Sequence, residues 1–130
     1  MTTDDIDPEL IALAGKVFDL ARHGDTERLA AYVDAGVPVD LTNEAGDTLL
    51  MLAAYHGHPS SVAVLVERSA DPNRTNDRGQ TALAGAVFKG ESDIVRLLAS
   101  AGADPDAGTP TAREAAAMFG REDLLELFDH

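Results

Sequence analysis

Apolar residues occur along the chain in pairs of short blocks, each with the spacing of one buried helix face. Thr48, a favourable N-cap residue, precedes the first block of the central pair, and Gly57 follows that block. Pro59 stands where the first turn of a second helix tolerates proline. The pattern predicts two helices joined at Gly57, with these buried positions: Leu49, Leu50, Leu52 and Ala53 in the first, Val62, Leu65 and Val66 in the second.

The paired blocks repeat with a period of 33 residues, which separates Gly24 from Gly57 and Gly57 from Gly90. Agreement of several registers on one period indicates a repeat architecture. The same offset relates Gly46 to Gly79, Thr48 to Thr81, Asp71-Pro72 to Asp104-Pro105, and Leu29 to Val62 and Val95.

Each period is predicted to be helix, glycine, helix and turn. The segments SADPNRTNDRG and GADPDAGTPT are dense in turn residues and are expected to be loops, not strands. The second helices of the first and third units would bury Leu29, Tyr32 and Val33, and Ile94, Val95, Leu97 and Leu98.

These segments resemble the ankyrin-repeat family over about residues 15–130. The match is carried by GDTLLMLAAYHGH, GQTALAGAVFKGE and the turns SADPN and GADPD. The resemblance implies an all-α solenoid of about four helix-turn-helix units with capping terminal repeats. We therefore expect a single domain over residues 1–130, with units at about 8–45, 46–78, 79–107 and 108–130. The Ala-rich, Lys-poor composition favours a small bacterial member.

Three features depart from the family's pattern. The family tetrapeptide T-P-L-H keeps only its threonine at Thr48 and Thr81, so the inter-repeat histidine network of the family should be missing. Ser69 stands where a glycine usually ends the helix, which predicts a strained turn. Gly120 follows Gly90 by 30 residues, so the turn before the last unit should be shortened.

Both ends of the array look specialised. The segment DPELIALAGKVFDLARHG predicts one longer helix capped by Asp7, with Pro8 at its first position. The last unit carries polar Arg113 and Glu114 where internal units are apolar, as a solubilising terminal repeat requires. We therefore expect a complete array.

Charge and cysteine content narrow the function classes. The formal net charge of -13 opposes direct binding of nucleic acid or anionic membranes. Without cysteine there is no disulfide framework, and the acidic amino terminus resembles no secretory signal. We expect a cytoplasmic protein that is monomeric when free.

Catalytic and metal-binding patterns are missing from the sequence. It contains no G-x-S-x-G, no H-E-x-x-H and no phosphate-binding loop. His23 and His56 stand one period apart, but three converging metal ligands are not visible. The sequence therefore predicts neither an enzyme, nor a cofactor, nor a metal site.

The resemblance implies that another protein or peptide binds the concave groove, which the turn tips and the exposed sides of the first helices form. The two residues before each inter-helix glycine should face it: Arg22, His23, Tyr55, His56, Phe88, Lys89, Met118 and Phe119. Turn-tip residues would extend this surface: Glu44, Ala45 and Asp47 in the second unit, Asp77, Arg78 and Gln80 in the third. Arg74 should lie near the same side.

Two interpretations of the aromatic residues compete. Aromatic side chains beside Arg or Lys are typical of binding hot spots, but they could instead pack between adjacent first helices. We expect Tyr55 and Phe88 to be exposed and leave Phe119 open. A second function also stays open: an acidic inhibitor that mimics a polyanion and blocks a basic or nucleic-acid-binding site on its partner.

Overall fold

The computed structural model describes residues 8–129. Within this range the chain forms helices and turns, with one isolated β-bridge between Thr42 and Thr48. Its eight helices are α1 (Pro8–His23), α2 (Thr26–Asp34), α3 (Leu49–Tyr55), α4 (Pro59–Glu67), α5 (Ala82–Lys89), α6 (Ser92–Ser100), α7 (Ala112–Met118) and α8 (Glu122–Phe128).

The helices form two layers. The first helices of the pairs contact one another in the order α1, α3, α5 and α7, and the second helices in the order α2, α4, α6 and α8. Apolar side chains between the layers form one continuous core, which includes the fully buried Leu49, Leu65, Leu83 and Ile94. The predicted all-α repeat solenoid is confirmed.

The predicted helix starts and stops are also confirmed. Thr48 Oγ1 accepts a hydrogen bond from the Met51 amide at 3.1 Å, and Thr81 caps α5 in the same way. Gly57 ends α3 with a φ of +75°, a left-handed conformation that costs glycine little. The first helices α3 and α5 are thereby fixed between a threonine and a glycine.

The terminal units differ from the internal ones as expected. Helix α1 has 16 residues, whereas α3 has seven, and Pro8 is its first residue; Asp7 lies outside the described residues. In the last unit Thr111 and Glu114 form a reciprocal capping box. Arg113 forms ion pairs with Asp106 at 2.9 Å and Asp129 at 2.6 Å, which join the preceding turn to the end of α8.

The expected strain at Ser69 is present. Its φ is +68°, and it is the single non-glycine residue with a positive φ among residues 8–129. The equivalent turns after α2 and α6 use Gly36 and Gly102. The shortened turn before the last unit is held by a hydrogen bond from the Thr109 amide to the Gly79 carbonyl, at 2.9 Å.

A histidine does connect the first two units, although not at the family's position. His58 Nε2 lies 2.7 Å from the Arg22 carbonyl oxygen, and the His58 ring covers Gly24. A β-carbon at Gly24 would overlap this ring, so the contact depends on glycine there. The family's tetrapeptide histidine is a different position, and the sequence did not indicate this contact.

Candidate functional site

The residues predicted to face the groove lie in a row at the carboxyl ends of the first helices. Each pair stands directly before the left-handed glycine that ends its helix. We call these residues the groove column, and they are Arg22, His23, Tyr55, His56, Phe88, Lys89, Met118 and Phe119.

Tyr55 is half-buried, so the prediction that it is exposed is wrong. Its ring lies against Gly85 of α5, and its hydroxyl donates a hydrogen bond to the Thr81 carbonyl at 3.2 Å. The cause is the missing side chain at Gly85, because a β-carbon there would overlap the Tyr55 ring. Tyr55 thus packs between adjacent first helices, as the competing interpretation required.

The environment of Tyr55 also changes its acidity. Burial disfavours the tyrosinate form, and the negative charge of Asp47 disfavours it further. Together they raise the pKa of Tyr55 to about 12 from its usual 10.0. The hydroxyl therefore stays neutral at physiological pH and acts as a hydrogen-bond donor.

Phe88 and Phe119 are exposed and contact each other. Their accessible fractions are 52% and 50%, and their rings meet edge to face with centroids 5.1 Å apart. Met118, beside them, is 67% exposed. Among the described residues these are three of the four exposed large apolar side chains, the fourth being Ile11. We call Phe88, Met118 and Phe119 the apolar patch; Phe119, left open by the sequence, belongs to it.

The repeat register explains why Phe88 is not buried like Tyr55. The cap residues Thr81 and Thr111 align α7 with α5, which places Ala115 at the position of Gly85. Ala115 is fully buried and carries the methyl group that Gly85 lacks. The space above Gly85 that receives the Tyr55 ring is therefore filled, in the next unit, by the methyl group of Ala115. We call this space the slot.

An open pocket of about 540 Å³ lies between Tyr55 and the apolar patch. We call it the groove pocket. Among residues 8–129, Lys89 is the one charged side chain that lines it, and Tyr55 and Phe88 form its aromatic walls. The sequence did not indicate the remaining lining residues, which are Gln80, Ala84, Gly85 and Pro110. A glycine inside an otherwise apolar helix was the available signal for this opening.

Basic side chains gather at the edge of the groove around His56. Partial burial lowers the pKa of the His56 imidazole, and four neighbouring side chains lower it further; in order of effect they are His58, Arg22, Lys89 and His23. Two carboxylates also lie here, because Asp19 pairs with Arg22 at 2.8 Å and the Glu91 carboxylate covers Gly57.

The turn tips are held by a ladder of hydrogen bonds. The buried amide of Asn76 donates to Asp47 and to Gln80, each at 2.8 Å, while the Asp77 amide donates to the Ala45 carbonyl at 3.0 Å. Asp47 and Gln80, predicted for binding, thus have structural partners. Asn76 was missed, although Asn43 forms the same turn one period earlier.

Other turn-tip residues have different environments. The Asp77 carboxylate covers Gly46, while Glu44 and Arg78 are exposed. Arg74 is exposed in the preceding loop. At the tips the predicted residues Glu44, Ala45, Asp77 and Arg78 are therefore exposed, whereas Asp47 and Gln80 are partly buried.

Most Lys and Arg side chains pair with carboxylates, but three on or near the groove side do not. Of the ten Lys and Arg residues, all within the described range, six form ion pairs with Asp. Lys16 instead lies over the Tyr32 ring, 5.7 Å from its centroid. The three that have neither contact, Arg74, Arg78 and Lys89, were all predicted on or near the groove side.

Two further features bear on chemistry. Residues 8–129 contain no group of three or more His, Cys, Asp or Glu side chains that could hold a metal ion. None of the helices described is long and apolar enough to cross a membrane.

Comparison with known proteins gives two matches. Residues 17–109 match the family described as ankyrin repeats in three copies. A protein of Pseudomonas aeruginosa, provisionally named an ankyrin repeat protein, is 43% identical over 51 residues. The matched stretch is 39% of this chain and spans 30% of the length of that relative.

Proposed function

Because the chain belongs to the ankyrin-repeat family, we propose that it is a non-enzymatic adaptor or regulator that binds a partner protein through its groove. Ankyrin repeats are in general protein-interaction modules. The observation that carries the proposal is the apolar patch, where Phe88, Met118 and Phe119 are each at least half exposed on one edge. Aromatic side chains and methionine are enriched in the centres of protein interfaces.

The patch has the features of a preformed anchor site. The edge-to-face contact between Phe88 and Phe119 orients both rings, so little side-chain freedom is lost when a partner covers them. The groove pocket beside the patch offers a concave surface for one apolar side chain. The core of the array holds both features in place.

The test compares capture of partner proteins by three forms of the chain. Immobilised wild type, the double variant Phe88→Ala/Phe119→Ala and the control Ile11→Ala are exposed to extract from the cells that make the protein. Ile11 is 59% exposed on α1 and is not part of the groove column, so its replacement removes an exposed apolar side chain away from the apolar patch. We expect the double variant to capture at least about tenfold less partner than the wild type, because removal of hot-spot side chains weakens binding by this amount.

The control must retain its partner, and far-ultraviolet circular dichroism must show unchanged helicity in all three forms. Equal capture by wild type and the double variant, at equal helicity, would exclude the apolar patch as the binding surface.

The acidic-inhibitor function remains a second candidate because of the charge of the chain. Its net charge is -13, and ion pairs with Asp engage six of its ten cations. Binding of this kind would weaken steeply between 50 and 500 mM salt and would not depend on Phe88. The same capture experiment, repeated at both salt concentrations, distinguishes the two candidates.

The site of action that we propose is the cytoplasm. The cysteine-free composition supports this assignment. A fluorescent fusion imaged in the source cells, with fractionation as a second readout, tests it.

A further inference from the structure

The groove around the pocket differs in charge between its two ends. Lys89 lines it beside the carboxyl end of α5, near the basic side chains around His56. At the opposite end, where α3 and α5 begin, lie the carboxylates of Asp47 and Asp77. Each end also carries the opposite charge, because Asp19 and Glu91 lie near His56 and the exposed Arg78 lies beside Asp77. Of these side chains, that of Lys89 is the one that lines the pocket, so a segment bound there meets its charge first.

Building on the proposed function, we propose that the groove pocket binds an extended segment of the partner that carries one apolar side chain followed by a carboxylate. The apolar side chain lies between the Tyr55 and Phe88 rings. The carboxylate pairs with the Lys89 ammonium group.

The charge of Lys89 has no partner within the described part of the chain. Arg22 on the same edge is already paired with Asp19, so Lys89 is the cation of this edge that a ligand carboxylate can engage without displacing a carboxylate of the protein. At the other end Asp47, whose negative charge acts on the Tyr55 hydroxyl, would repel a ligand carboxylate, while the exposed Arg78 beside Asp77 lies outside the pocket lining. Charge complementarity thus places the acidic end of the segment at Lys89.

The extent of the groove along α5 limits the segment. Helix α5 has eight residues and is about 12 Å long. An extended chain advances about 3.3 Å per residue, so about four residues cross the groove. The carboxylate then stands one or two residues beyond an apolar residue placed in the middle of the groove.

A second copy of this chain is a less favourable occupant. Each copy carries a net charge of -13, so association of two copies brings large like charges together. A short segment with one carboxylate avoids this cost, because charges farther than about 8 Å are screened at physiological ionic strength. The charge nearest the ligand, that of Lys89, then dominates.

The test uses two synthetic peptides, acetyl-Gly-Ser-Phe-Ser-Asp-Gly-amide and the same peptide with Lys in place of Asp. Each is titrated to millimolar concentration into the uniformly ¹⁵N-labelled full chain, and binding is followed by amide chemical shifts. We expect the Asp peptide to shift the resonances of Gly85, Phe88 and Lys89. Its affinity should exceed that of the Lys peptide roughly three- to tenfold, the effect of one favourable pair replaced by one unfavourable pair.

Lys89→Glu should reverse the preference between the two peptides. The matched control is Arg96→Glu, which changes the net charge equally but lies exposed on α6, in the second layer of helices. This control should retain the preference of the wild type. Replacing Phe by Ala in the peptide should abolish the shifts.

Three results would overturn the inference. If the Lys peptide binds the groove as tightly or more tightly, and Phe88→Ala weakens it, the groove function stands and the carboxylate assignment fails. If neither peptide shifts the groove resonances, the segment is wrong, whereas the proposed function is judged separately by partner capture. If sedimentation shows that the chain dimerises through Phe88, the occupant is a second copy.

Discussion

Tyr55 and Phe88 occupy the same place in adjacent units, 33 residues apart, yet their environments are opposite. The Tyr55 ring fills a slot over Gly85 and bonds to the next helix, whereas Phe88 is 52% exposed and contacts another exposed ring. The difference arises in the unit that follows each ring. Gly85 lies opposite the Tyr55 ring, whereas Ala115 occupies the equivalent position for Phe88. An aromatic residue in the groove column is therefore buried or exposed according to its neighbour.

The largest contrast should appear when each ring is removed. Tyr55→Ala deletes a half-buried ring from a contact between helices, and we expect it to lower the free energy of unfolding by about 2–3 kcal/mol. Phe88→Ala deletes an exposed ring and should cost under about 1 kcal/mol. Urea denaturation followed by circular dichroism measures both values. Equal costs would show that the two rings do not differ in packing.

Filling the slot should make Tyr55 resemble Phe88. Gly85→Ala adds a methyl group that overlaps the Tyr55 ring, and a forced rearrangement of this kind costs about 1–3 kcal/mol. Part of the cost is offset, because alanine favours a helix over glycine by up to about 1 kcal/mol. We expect a net loss of about 1 kcal/mol in the free energy of unfolding, again from urea denaturation.

The control for this experiment is Gly85→Ala in a chain that lacks the Tyr55 ring. In the Tyr55→Ala background, Gly85→Ala has no ring to displace, so only the helix preference remains and the substitution should stabilise the chain. Destabilisation in that background would place the clash elsewhere than at Tyr55.

The smallest effect concerns pH. Because the pKa of Tyr55 is raised to about 12 in the folded chain from 10.0, the folded state holds its proton at pH values where the unfolded state releases it. Stability from this group is therefore complete below pH 10 and is lost as the pH rises towards 12. Between pH 9 and pH 11 the wild type should lose more stability than Tyr55→Phe, by up to about 1 kcal/mol once the partial exposure of the ring is allowed for. Urea denaturation at the two pH values measures the difference.

Tyr55→Phe is a mild change for this comparison. The Thr81 carbonyl also accepts the Gly85 amide at 3.1 Å, so removal of the hydroxyl leaves no unpaired acceptor. A stability loss between pH 9 and pH 11 that is the same in both proteins would show that Tyr55 titrates alike in the folded and unfolded states.

Most of the fold could be predicted from the sequence because local residues determine it. The threonine caps, the helix-ending glycines and the 33-residue period are each visible in the sequence, and each was found where expected. The strain at Ser69 was equally visible, since a turn that needs a positive φ disfavours any residue except glycine. These features depend on one residue and its neighbours in sequence.

The site was harder to predict because exposure depends on residues about 30 positions away. Periodicity placed Tyr55 and Phe88 in one column, but the missing methyl group at Gly85 decided which ring was buried. The role of Asn76 was likewise hidden, because its partner Asp47 lies in the neighbouring turn, 29 residues earlier. Alignment of the third and fourth units by their cap residues, Thr81 and Thr111, would have revealed the contrast between Gly85 and Ala115.

The glycine at position 85 has a consequence for exchanging units between proteins of this type. A unit transplanted alone would carry its aromatic residue but not the neighbour that decides whether the ring is buried. The binding surface of one unit is thus partly encoded in the next, and a single methyl group there can add a recognition residue or remove one. Recombination that preserves such surfaces has to transfer adjacent units together.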